Sequence, residues 1–260
     1  MGALAALPAE LVAELLPLLL AYLRIQAAVL VMPVFSERVL SARVRVALAM
    51  ALTPAAAAFG PPLPDPAPDI FVILALREML VGLLIAMPVR IMSTALNVAS
   101  SAIGATASLS QLIGTGTEAA PHPIGNLLHA AGLALLMAMG LPMLLIDLIA
   151  QSYAAFPAGR LAIGGDQVAA MIGLVMRAFL LAMALASPFI LGGLMYQLLL
   201  GVVNKVMPQL PVVFIGAPAI IFVALVGLAI LSPGIIGIWA DAVLGTSLET
   251  GPAPDTGPAP

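Results

Sequence analysis

Very few side chains in this chain of 260 residues could do chemistry. There are two histidines, His122 and His129, and no cysteine, so thiolate nucleophiles, disulfides and cysteine-ligated metals are excluded. The histidines are seven residues apart and share a helix face only if one helix spans both, which Pro123 opposes. No second ligand pair at metal-binding spacing accompanies them, so they read as loop or interfacial histidines rather than metal ligands. Acid–base chemistry on a lipid would need His, Asp or Glu groups converging at one interface. His129, Asp147 and Asp166 form no recognisable constellation of that kind. Motifs for dinucleotides, nucleoside phosphates, zinc proteolysis and the serine nucleophile elbow are all missing. The expectation is a protein that is not an enzyme, with no catalytic residue, no cofactor-binding residue and no metal ligand.

What remains is charge placed in apolar surroundings. Arg24 lies deep in the first hydrophobic run, Arg77, Glu78 and Arg90 share the third, and Arg177 sits in a longer one. Such a charge at the centre of a bilayer costs roughly 2.5–3.5 kcal/mol, so each needs a partner or a route to the interface. Neighbours on a helix point about 100° apart, and Arg77 therefore cannot pair with Glu78. Their partners must lie on other helices or other subunits. Snorkelling to the interface is the alternative, and it suits Arg77 and Arg90 better than Arg24 or Arg177. Gly82 and Ala86 follow Glu78 at intervals of four, a small-residue stripe that would let another helix approach closely. The 14 methionines read as flexible filling for irregular gaps.

The elements that must position these residues are set by composition. With 63% hydrophobic and 8% charged residues and a mean hydropathy of +1.19, the chain needs lipid as solvent. A span takes about 20 residues to cross roughly 30 Å of hydrocarbon, so the chain has room for about six or seven spans and no large soluble domain. Nine scattered basic residues make no patch able to neutralise a run of phosphates, which excludes nucleic acid as a partner. The N-terminus lacks the basic start of a cleavable signal, so residue 1 is expected to be retained.

Along the chain, the first run follows Pro8, which suits a first helical turn, and stops at Pro33. Arg38, Arg43 and Arg45 then make the one cluster of positive charge, which the positive-inside rule places in the cytoplasm. A second run, 46–59, ends in the proline-rich stretch 60–66, an extended loop for the opposite side. The third run, 70–92, passes into the small, polar stretch 93–108, a surface for protein or water rather than lipid. Gln111 to Pro123, with Gly114, Gly116, Glu118 and Pro121, breaks the helical pattern, and irregular backbone at membrane depth must be buried or line a cavity. Further runs cover 124–149 and 168–203, the latter with Pro188 inside as one kinked helix or two. A last run to about Leu244 is interrupted by Pro218 and Pro233. Residues 1–248 form the membrane domain in this reading, and the Gly- and Pro-rich tail 249–260 is disordered.

The order of these features resembles the FliR family of flagellar export proteins and its T-type relatives in virulence secretion systems. The resemblance is carried by Arg24, by Pro33-Val34-Phe35, by Arg43 and Arg45 opening the second run, and by Glu78 with Gly82. Its most specific stretch runs from Asn204 and Lys205 through Pro208, Gln209 and Phe214 to Gly216 and Pro218. It covers residues 10–245 and departs locally, with Lys205 where arginine is frequent and no Asp-Pro pair in the 114–123 loop.

The resemblance implies an all-α membrane protein of several hydrophobic, partly kinked helices within a helical hetero-oligomeric export gate. It would be a single-copy structural and gating subunit in the bacterial inner membrane, at the flagellar basal body. Implied partners are P-type and Q-type gate subunits, a B-type export-switch protein, unfolded secreted proteins as cargo, and membrane lipid. The segment Gly104 to Pro123 would help plug the closed channel, with Gly104, Gln111, Gly114, Gly116, Glu118 and Pro121 as gating candidates. Arg24, Arg77, Glu78, Gly82, Lys205, Pro208, Gln209 and Phe214 are the assembly candidates. A virulence injectisome subunit is the alternative within the same resemblance. A small-solute transporter would place a midplane site at helices interrupted by Pro88 or Pro188, but no internal repeat supports one.

Overall fold

In lipid every backbone N–H and C=O must be bonded within its own segment, so apolar runs of this kind become helices. The computed structural model describes residues 9–38, 40–59, 71–106, 123–156, 165–207 and 212–249. Among the described residues there are seven helices and no strand: α1 (Ala9–Val31), α2 (Ala42–Ala57), α3 (Phe71–Thr106), α4 (Pro123–Ala138), α5 (Leu141–Ala155), α6 (Gly165–Val206) and α7 (Val212–Glu249). The tail expected to be disordered is outside the described residues from position 250 onward.

Prolines punctuate these helices without ending them. Pro17, Pro54, Pro88, Pro188, Pro218 and Pro233 all lie inside helices. In water an interior proline costs about 3 kcal/mol through its missing donor and its clash with the preceding turn. An apolar environment makes leaving the helix costlier still. The stretch 168–203 is accordingly one helix, α6, of 42 residues. The polar stretch after Met92 likewise continues α3 as far as Thr106.

Glycine breaks what proline does not. The run 124–149 divides into α4 and α5, bent by 62° at the break. Gly140 stands there at φ 101, a left-handed conformation that a residue without Cβ adopts at little cost. Pro142 follows inside the first turn of α5, where its missing N–H is no loss.

Four helices among the described residues are long and apolar enough to cross a membrane, over 14–31, 71–105, 167–206 and 218–246, and a fifth span results if α4 and α5 count as one. This is below the room for six or seven. The reason is length: α6 and α7 take 42 and 38 residues, about twice what one crossing needs.

The chain divides into two compact units. The first comprises Met1–Ile91, Met139–Leu174 and Val243–Pro260, and the second Met92–Ala138 and Val175–Ala242. In the first, α2 packs on α1 and touches α5. α1 and α3 run parallel there, because Arg24 meets Glu78 and, one turn on, Ala27 meets Gly82. In the second, Trp239 of α7 is wholly buried, its ring against Gly132 of α4 and beside Leu96 of α3. A side chain at Gly132 would occupy the space of that ring and of Leu96.

Candidate functional site: a buried arginine cluster

The first unit is organised around one cation. Arg24 projects from α1 with none of its surface exposed, and Glu78 of α3 is 1% exposed. The Arg24 Nε donates to Glu78 Oε2 at 2.6 Å. From the same guanidinium, Nη1 donates to Ser152 Oγ at 3.0 Å and Nη2 to the Phe156 carbonyl at 3.1 Å. The Tyr153 ring lies under the guanidinium carbon at 3.9 Å. Three nitrogens and the flat face of the cation thus all have partners, one helix supplying the anion and α5 the rest.

Such a pair is weak evidence of net stability, since both ions lose water on burial. It is strong evidence of specificity, because removing either partner strands the other charge. The planar guanidinium fixes direction as well as distance, which a lysine in its place could not do.

Close helix approach makes the pairing possible. One turn after Glu78, Gly82 lies so near α1 that a Cβ there would overlap the Arg24 carbonyl oxygen and come within 2.9 Å of the Ala27 Cβ. Ala86, a further turn on, is also buried. The stripe seen in sequence is therefore the side of α3 that meets α1, inside the chain.

A second polar knot closes the turn after α1. α1 ends at Val31, and just past Pro33 the chain turns with Val34 at φ 70, a strained value for a β-branched residue. Arg45 of α2 donates from Nη2 to the carbonyls of Glu37 at 2.5 Å and Ser36 at 3.3 Å. Arg90 of α3 donates to Ser36 Oγ at 2.8 Å and lies 4.0 Å from the Glu37 carboxylate. Arg45 and Arg90 therefore serve the turn itself.

The family model for bacterial export proteins, family 1, matches residues 15–245. The chain belongs to that family. Within it, the flagellar biosynthetic protein FliR of Caulobacter vibrioides is 30% identical over 227 residues, covering 85% of this chain and 90% of that protein. The FliR proteins of Escherichia coli and Bacillus subtilis are each 28% identical, over 81% and 89% of this chain and 82% and 92% of their own lengths. The matched span takes in every residue of the arginine cluster.

Other sequence candidates in this export-family chain are distributed more widely. Arg77 is exposed beside the buried Glu78, and Arg177 is exposed on α6. That helix turns most of its circumference outward. Lys205 is exposed in the last turn of α6, where a cation suits the negative end of the helix dipole. Gly104 is buried near the end of α3. Gln111, Gly114, Gly116, Glu118, Pro121, Pro208 and Gln209 lie outside the described residues, and Phe214 falls in the first turn of α7. Ser152, Tyr153 and Phe156 were not singled out in the sequence, although the polar pair Gln151-Ser152 at the end of an apolar run was the available signal.

Proposed function

We propose that this protein is a structural and gating subunit of a flagellar type III protein-export channel, seated in the bacterial inner membrane at the basal body. The observation that carries the reading is the match to the export family over residues 15–245, with FliR relatives covered over most of their length. Two features of the chain support it. The intramembrane charges Arg24 and Glu78 are spent on each other and on α5, which suits a scaffold rather than a solute site. The long helices α6 and α7 leave large apolar side chains uncovered, as a subunit made for an oligomer would.

In this reading P-type and Q-type subunits cover those helices, a B-type switch protein engages the assembly, and unfolded secreted proteins are the cargo. The segment Gly104 to Pro123 contributes to closing the channel. Native mass spectrometry of the tagged chain, co-expressed with the hydrophobic products of neighbouring genes, tests the assembly. One copy bound to several copies of two smaller partners is expected, and a stable lone chain or homodimer rejects the reading. For gating, deletion of 114–118 should leave assembly intact while raising ion conductance of the closed complex, and unchanged conductance rejects that assignment.

A further inference from the structure

We propose that the arginine-rich turn between α1 and α2, with the outer face of α2 below it, holds one anionic phospholipid. The phosphate would sit against Arg38 and Arg43, and an acyl chain would run along Ala47, Met50 and Pro54. The inference rests on α2 lying at a membrane surface and not on the export-gate reading.

Charge is the first ground. The whole chain has nine basic residues and a net charge of −3. Four of those nine, Arg38, Arg43, Arg45 and Arg90, are gathered at this turn, the last by its hydrogen bond to Ser36. Glu37 is the one acidic residue between positions 15 and 64, and its carboxylate faces Arg90. Arg45 is directed to two backbone carbonyls, which do not neutralise it. Arg38 and Arg43 are exposed, with no hydrogen bond or ion pair among the described residues, and the first turn of α2 has no acidic residue. Positive charge is thus concentrated where the protein supplies almost none of the opposite sign.

The shape of α2 is the second. Ala49, Thr53 and Ala56 form its buried face. Arg43, Ala47, Met50 and Pro54, spaced four, three and four apart, form one exposed stripe on another side, with Met50 62% exposed. A cation therefore heads an apolar strip, in the order that a lipid presents phosphate and chain. At 16 residues α2 is about 24 Å long, too short to cross roughly 30 Å of hydrocarbon by itself, and its arginines Arg43 and Arg45 stand together at its first turn. A free anion or an acidic peptide would use the arginines and leave the strip bare.

The third is rigidity. The turn that carries Arg38 is tied down by Arg45 from α2 and Arg90 from α3, so Arg38 and Arg43 are presented from an ordered frame.

The test is native mass spectrometry of the full chain, with any subunits that co-purify, in a neutral detergent. It is titrated with phosphatidylglycerol, with phosphatidylcholine of the same acyl chains, and with phosphatidylglycerol plus millimolar inorganic phosphate. Wild type should retain phosphatidylglycerol well above phosphatidylcholine, and the joint variant Arg38→Gln, Arg43→Gln should lose about thirtyfold in that affinity, at about fivefold per surface arginine. Met50→Ser should weaken both lipids alike, and Arg177→Gln, which removes an exposed charge elsewhere, should change neither. Equal retention of the two lipids, or an equal loss from Arg177→Gln, overturns the proposal. So does displacement of phosphatidylglycerol by inorganic phosphate, which would mark a site for the anion alone.

Discussion

In the first compact unit a fully buried arginine is met by a carboxylate, a hydroxyl, a carbonyl and an aromatic ring, all from the same chain. In the second, α6 and α7 present Met195 and Phe222 at 70% and 68% exposure, and only 22% and 17% of their apolar spans are buried, against 44% for α1. The first unit has used its polar groups to settle which of its helices touch. Over most of their outward faces α6 and α7 of the second are apolar, and such a surface is satisfied by lipid and by other helices alike. The contrast separates what this chain specifies alone from what an assembly must complete.

The strongest test of that contrast is Glu78→Ala. It should strand Arg24 and cost about 3–5 kcal/mol, seen as loss of the protein from membranes by quantitative blotting. Replacing both partners, as Arg24→Met with Glu78→Leu, should restore most of the level, since the desolvation cost leaves with the charges. A normal level in the single variant would show that the cluster does not organise its unit. In the second unit, Met195→Asp should cost about 3 kcal/mol wherever lipid or helices cover the site. It should fold yet fail to co-purify with partners, and normal assembly would show that this face of α6 meets water.

Smaller effects come from paired glycines. Gly82→Ala forces a methyl into the α1 backbone and should lower stability by about 1–3 kcal/mol in a detergent melting assay. Gly192→Ala on α6 meets nothing within 4 Å and should leave the isolated chain unchanged or up to about 1 kcal/mol more stable. If the two shift melting equally, the close approach of α1 and α3 has been misjudged. Least of all, Val34→Gly relieves a left-handed valine and should gain no more than about 1 kcal/mol, within the same assay.

Much of the scaffold was legible because composition leaves a chain this apolar no choice but helix, and because a charge inside an apolar run demands explanation. Arg24 and Glu78 stood out on that ground, and Gly82 by its place in a stripe of small residues. Their pairing did not, since contacts across 54 residues depend on which helices become neighbours, and apolar runs have no address. The break at Gly140 was hidden because proline drew attention as the breaker, whereas in this environment proline-bearing helices stay intact and the left-handed glycine makes the bend. The segment expected to plug a channel lies mainly outside the described residues, so its sequence remains its principal description.

The two ties that join α1 and its following turn to α3 have a mechanical meaning. Arg24–Glu78 fastens α1 to α3, and Ser36–Arg90 fastens the turn that follows α1 to the same helix, twelve residues or about 18 Å further along α3. A single tie would act as a pivot and let the helices swing. With the second tie, sliding α1 along α3 must break the ion pair and also pull on the turn that Arg90 holds. In any displacement of this chain, α1 and the part of α3 paired with it should travel together.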